Sequence, residues 1–168
     1  SKLKESEEKY HKIIESASDA IFIADVETGI IIDENKKAGD LIGLPREKII
    51  GMHQTELHPE EEREVYSKLF KEQAQKGGII TDVFVACRDG RKIPVEISAS
   101  VTEIAGKMII QGIFRDVSDR KVAEERVKEA MDVRAKFISM VSHEMRTPLT
   151  AIKEGLNLVV DGSAGEIN

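Results

Sequence analysis

The sequence predicts an α+β domain, a five-stranded antiparallel sheet with flanking short helices, followed by a long α-helix. Three observations carry this prediction. Beyond Gly78, apolar residues recur at every second position through three successive segments, the pattern of half-buried antiparallel strands. Between Ala20 and Gly77, two apolar runs and several short helical stretches follow one another, punctuated by Gly and Pro. From Asp119 the chain is charged and helical in pattern, with no Gly or Pro before Pro148.

Taken in order, Glu5 to Ala17 carries Tyr10, Ile13, Ile14 and Ala17 at helical spacing and predicts a short amphipathic lead-in helix. Ala20 to Asp25 is a buried strand, and Glu27-Thr28-Gly29 turns it into a second, Ile30 to Asp33. Asn35 is placed to cap a helix over Lys36 to Ile42, which Gly43 and Pro45 end; Arg46 to Ile50 starts another short turn. A longer helix is expected from Glu60 through Phe70, with acid in its first turn and Gly77-Gly78 at its stop. Strands Ile79 to Cys87 and Arg91 to Glu103 flank the turn Asp89-Gly90, and Gly106 leads into a strand over Lys107 to Asp116. In the second of these, Ile93, Val95, Ile97, Ala99 and Val101 mark the buried face.

Composition narrows the function classes. With 168 residues, 40% hydrophobic and 33% charged, the chain suits one medium domain plus an extension and has no run approaching a membrane span. A net charge of −6 without a basic face argues against nucleic acid as a partner. The single cysteine, Cys87, excludes an internal disulfide and a cysteine-rich metal site. A reducing, cytoplasmic setting is expected, with any membrane anchor upstream. The polar opening Ser1-Lys2-Leu3-Lys4-Glu5 is no signal peptide and is expected to be an internal start.

Two strands, crowded short helices, a longer helix and a three-stranded meander within about 110 residues resemble a PAS sensor domain. Ser18 to Asp25, Ile49-Ile50-Gly51, His58-Pro59-Glu60 and the closing Asp116-Val117-Ser118 carry the resemblance. The last is similar to the Asp-Ile-Thr that ends many PAS domains, and Ser118 can cap the helix that follows. The ligand of such a domain is not legible. His53 and His58 precede the long helix, whereas haem-binding PAS domains take their iron ligand from it, so they read as loop histidines. Cys87 lacks the Asn-Cys-Arg context of flavin-adduct photosensors and reads as a packing residue. A small-molecule pocket and a filled core that relays strain both remain open.

The second motif lies near the end. Ile138, Val141, Met145, Leu149, Ile152, Leu156 and Val159 form the apolar stripe of one helix. His143 projects about 160° from its middle and is expected to face water. An imidazole offers an unprotonated nitrogen near neutral pH and is a reasonable nucleophile toward phosphorus. Glu144 follows directly; Thr147, one turn on, shares the histidine's face. Pro148 removes the helical partner of the Glu144 carbonyl, and a bend is expected there. The run Ser142-His143-Glu144-Met145-Arg146-Thr147-Pro148-Leu149, with Phe137 six residues before the histidine, resembles the H-box of sensor histidine kinases. This resemblance implies catalytic roles for His143 as phosphoacceptor, Glu144 as its acid/base partner and Thr147 in dephosphorylation.

The resulting organisation is a lead-in helix over 1–17, a PAS domain over 18–117, a signalling coiled-coil helix over 118–136 and the first helix of a dimerisation and phosphotransfer domain over 137–168. The expected partners are a second copy of the chain, a response-regulator receiver domain and an ATP-binding catalytic domain that lies outside this sequence. No cofactor or metal is expected in the chain itself, whereas ATP and magnesium belong to that catalytic domain. Without it the chain is expected to be inactive alone. The competing reading is a PAS ligand-binding and dimerisation module without catalysis.

Overall fold

A computed structural model describes residues 2–162, which fall into two compact units divided after Ser118. The turn-rich tail predicted at the C-terminus lies largely outside the described residues. In the first unit, α1 (Lys2–Glu15) leads to β1 (Ala20–Asp25) and β2 (Ile31–Glu34), then α2 (Lys36–Ile42) and α3 (Arg46–Ile49). After two 3₁₀ turns come α4 (Arg63–Lys76), β3 (Gly78–Ala86), β4 (Lys92–Ile104) and β5 (Lys107–Asp116). The sheet is antiparallel throughout in the order β2-β1-β5-β4-β3, so the β1–β2 hairpin and the β3–β4–β5 meander meet where β1 pairs with β5.

The predicted alternation on β4 is realised, with Val95, Ile97 and Ala99 buried and Ser98 and Ser100 exposed. That inner face joins Phe22, Ile31, Phe114 and the apolar side chains of α2, α3 and α4 in the main core. The outer face is covered in part by α1, whose Ile14 packs with Ile21 and Ile23 while Ile109 and Ile113 close the cluster. Of the four apolar residues that marked α1 in the sequence, Ile14 and Ala17 face this cluster, whereas Tyr10 and Ile13 stay exposed.

Two element boundaries differ from the sequence expectation. The segment Glu60–Glu62 forms a 3₁₀ turn before α4, with Glu62 N–H bonded to the Pro59 carbonyl and Glu61 paired with Lys92. At the end of β5, Ser118 is the first helical residue, and the Oδ1 of Asp116 accepts its N–H at 2.8 Å. The short-range capping expected of Ser118 thus falls to Asp116. Gly77 stops α4 with φ 62°, a left-handed value that glycine adopts without the Cβ clash.

Asn35 ties the unit together. Fully buried, it accepts the N–H groups of Ala38 (3.1 Å) and Ile21 (2.9 Å), and its Nδ2 donates to the carbonyls of Ile14 and Asp19, both at 3.0 Å. One amide therefore caps the start of α2, satisfies a carbonyl at the end of α1 and fixes the entry to β1.

The second unit is one helix, α5 (Ser118–Val160), 43 residues long and about 65 Å end to end. It runs through Pro148, and none of its residues is buried. The predicted stripe is present on it, with Ile138, Met145, Leu149, Ile152, Leu156 and Val159 all exposed.

Candidate functional site

Two places carry chemistry, a cavity inside the first unit and the His143 segment of α5. The cavity, about 60 Å³, lies between the inner face of the sheet and α4. Its wall is mostly apolar, formed by Phe22, Leu57, Ile97 and Phe114 among others, and is interrupted by Gln54, His58, Tyr66 and Gln73.

His58 is the residue whose place the sequence did not reveal. It sits in a connection, as expected, but is only 4% exposed. Its ring lies flat on Tyr66, with centroids 3.6 Å apart and planes 3° from parallel. Nδ1 donates to the Phe84 carbonyl at 2.7 Å, while the Tyr66 hydroxyl accepts the Phe84 N–H at the same distance. Phe84 lies on β3, which among the described residues pairs with β4 alone, so these two side chains cover backbone groups on the outer edge of the sheet. Burial pushes the imidazole down to about 4, opposed by the bond to Phe84, and the ring is neutral at pH 7. The proton therefore resides on Nδ1, leaving Nε2 as an acceptor.

The sign of the resulting pH effect follows directly. The unfolded histidine takes a proton near pH 6.5 and the folded one near 4, so His58 contributes stability above pH 6.5 that is lost as the pH falls toward 4. Between pH 7 and pH 5 the loss is about 2 kcal/mol. His58→Asn, which keeps a side-chain donor but cannot titrate, is expected to flatten this part of the stability profile. Urea unfolding of both proteins at pH 7 and pH 5 checks this, and an equal drop in both would assign it to other groups.

Cys87 is buried just beyond β3, its thiol donating to the Leu41 carbonyl at 3.2 Å, and burial raises its pKa. The thiol is held in packing, as its sequence context suggested. Beside the cavity unit's core, Glu34 is 4% exposed and burial pushes its carboxyl up. Arg46 bridges Glu34 Oε1 (3.2 Å) and Asp33 Oδ1 (2.7 Å), tying β2 to α3. Among the described residues, no group of three His, Cys, Asp or Glu is placed to hold a metal ion.

On α5, His143, Glu144 and Thr147 are all exposed. Helical geometry sets His143 and Thr147 on one face and turns Glu144 about 100° from the histidine. No side-chain hydrogen bond links the three among the described residues. The imidazole is thus accessible, with Glu144 and Thr147 one residue and one turn away.

Comparison with known proteins supports the fold. The family model described as the PAS fold matches residues 8–117. The methyl sulfide methyltransferase-associated sensor of Methanosarcina acetivorans is 32% identical over 126 residues, which is 73% of this chain and 12% of that protein. Sporulation kinase A of Bacillus subtilis is 30% identical over 168 residues, covering 94% of this chain and 26% of the relative. The chain therefore spans about a quarter or less of these curated relatives. Among solved structures, the PAS domain of an HTR-like protein from Haloarcula marismortui superposes with a TM-score of 0.61 at 19% identity, covering 68% of this chain and 94% of that one. No helix among the described residues is long and apolar enough to cross a membrane. The order of the sheet, the helices on its inner face and the family match together place this chain in the PAS family, with histidine kinases among its relatives.

Proposed function

We propose that the chain is the sensor and phosphoacceptor portion of a two-component histidine kinase. The observation that carries this reading is an accessible imidazole within the run Ser142 to Leu149, on an uninterrupted helix that begins two residues after the last PAS strand. The reaction balances simply. One unprotonated nitrogen of His143 attacks the γ-phosphorus of ATP held by a separate catalytic domain, the bond to the bridging oxygen breaks, and ADP leaves. Glu144, the next residue, stabilises the positive charge that develops on the imidazole once its carboxylate reaches the other ring nitrogen. In the second step a receiver aspartate attacks the same phosphorus and the P–N bond breaks. Thr147, one turn on, binds a water for the competing hydrolysis.

Signal transfer on this reading runs through a dimer. The exposed stripe from Ile138 to Val159 is the kind of surface that a second copy of α5 covers in a coiled coil or helical bundle. Native mass spectrometry of the chain is expected to give twice the 18.7 kDa monomer mass; a monomer at micromolar concentration counts against this part of the mechanism.

The central test supplies the chain with ATP, magnesium and the ATP-binding domain of a histidine kinase in trans. Acid-labile, alkali-stable phosphate on this chain, passed on to a receiver domain, is the expected result. Absence of phosphate with every catalytic domain offered, together with saturable ligand binding by the PAS unit, favours the non-catalytic module instead.

A further inference from the structure

The cavity in the PAS unit contains polar groups that its own chain leaves unanswered. Gln54 and Gln73 are each 7% exposed, and the Oε1 of Gln73 is buried without a hydrogen bond. Among the described residues, no hydrogen bond reaches the Gln54 amide or the Nε2 of His58 either. All three side chains line the same space. Buried polar groups are nearly always satisfied, so the unbonded Gln73 Oε1, with the Gln54 amide and His58 Nε2 on the same mostly apolar wall, points to a polar occupant.

Size, charge and proton placement limit what fits. About 60 Å³ is several times the ~10–15 Å³ that one water needs and well under the ~150 Å³ of a cavity that takes benzene. Haem and flavin are far too large. Among the described residues no Asp, Glu, Lys or Arg lines the space, so an ion would be buried there without a counter-charge. The Nε2 of His58 only accepts, because Nδ1 donates to Phe84, and each glutamine amide can accept or donate. The complementary molecule is neutral, carries a hydroxyl and has a short hydrocarbon body to lie against Phe22, Leu57, Ile97 and Phe114.

We propose that this cavity binds a short-chain aliphatic alcohol of about four or five non-hydrogen atoms, its hydroxyl donating to His58 Nε2 and accepting from the Gln73 amide, turned over so that its NH2 stands where the unbonded Oε1 does now. The proposal rests on reading the PAS unit as a sensor but not on phosphoryl transfer, and its test is independent of that chemistry. A hydroxyl bound at Nε2 polarises the ring and strengthens the Nδ1–H bond to the Phe84 carbonyl. The Phe84–Val85 peptide on the edge strand is therefore the natural reporter.

The experiment is an amide-detected NMR titration of the full chain with 1-butanol, with butyrate as the charged counterpart. Saturable shifts at the Val85 amide and the Gln73 side chain are expected with the alcohol and not with butyrate. Gln73→Leu is expected to weaken binding roughly 10-fold. Ala99→Val, which adds two methyl groups to the cavity wall, is expected to abolish it, with the spectrum of each free variant reporting that it folds. Shifts that grow linearly without saturation in the parent chain overturn the proposal, whatever the variants do. Equal response to butyrate, or undiminished binding in both folded variants, overturns it as well.

Discussion

Replacing His143 by glutamine is expected to reduce phosphate incorporation to background in the presence of ATP, magnesium and a catalytic domain in trans. The amide nitrogen of glutamine is polar and similar in reach, but its lone pair is delocalised into the carbonyl and does not attack phosphorus. The substitution should leave the fold intact, because His143 is exposed and makes no side-chain hydrogen bond among the described residues; exposed changes of this kind alter stability by about 0.5 kcal/mol or less. Loss of phosphate with unchanged helix content therefore reports chemistry and not misfolding. Neighbouring variants separate the remaining roles. Glu144→Gln is expected to slow phosphorylation by about 100-fold while the acceptor survives. Thr147→Ala should leave incorporation near the parent level and prolong the lifetime of the phosphorylated chain. Acid-labile phosphate persisting in His143→Gln would remove His143 from the mechanism altogether.

The legible parts of this chain are those in which side-chain period and turn chemistry speak locally. The alternation of Ile93 to Val101, the Asp89-Gly90 turn and the stripe on α5 needed no tertiary partner to be read, and each appears where expected. The proposed role of His143 likewise rests on residues contiguous in sequence, Ser142 to Leu149. His58 was not legible, because its role depends on Tyr66 eight residues later and on the Phe84 carbonyl 26 residues away. A histidine beside Pro59 carries the same local signature whether it faces water or the core. Gln54 and Gln73 were hidden for the same reason, since their polarity suggests surface until the cavity assembles around them. The pairing of Arg46 with Asp33 and Glu34 depends on α3 packing beside β2, which no spacing in the sequence announces.

Asn35→Leu is expected to be among the most destabilising single changes in the PAS unit, lowering its stability by about 4 kcal/mol. Sequence reading identified only the local part of this residue's work, the cap on α2, which by itself accounts for roughly 1 kcal/mol. The larger part is long-range. Leucine fills nearly the same volume but leaves the Ile21 N–H and the Asp19 carbonyl without the bonds they now have and the Ile14 carbonyl with only its bond from the Ala17 N–H, in a place with no access for water at the side chain. For a domain of this size, such a loss corresponds to a fall in Tm of roughly 15–30 °C. Asn35→Asp separates the two halves of the role. Aspartate keeps the acceptor for Ala38 and Ile21 but turns two donors into a carboxylate facing two carbonyl oxygens, so at pH 7 the loss should approach that of leucine. As the pH falls and the carboxyl gains a proton, one donor returns, and the difference from the parent should narrow. Thermal unfolding of the three proteins at pH 7 and pH 5 makes the comparison. If Asn35→Asp matches the parent at pH 7, the acceptor side alone matters, and the bonds to Ile14 and Asp19 contribute little.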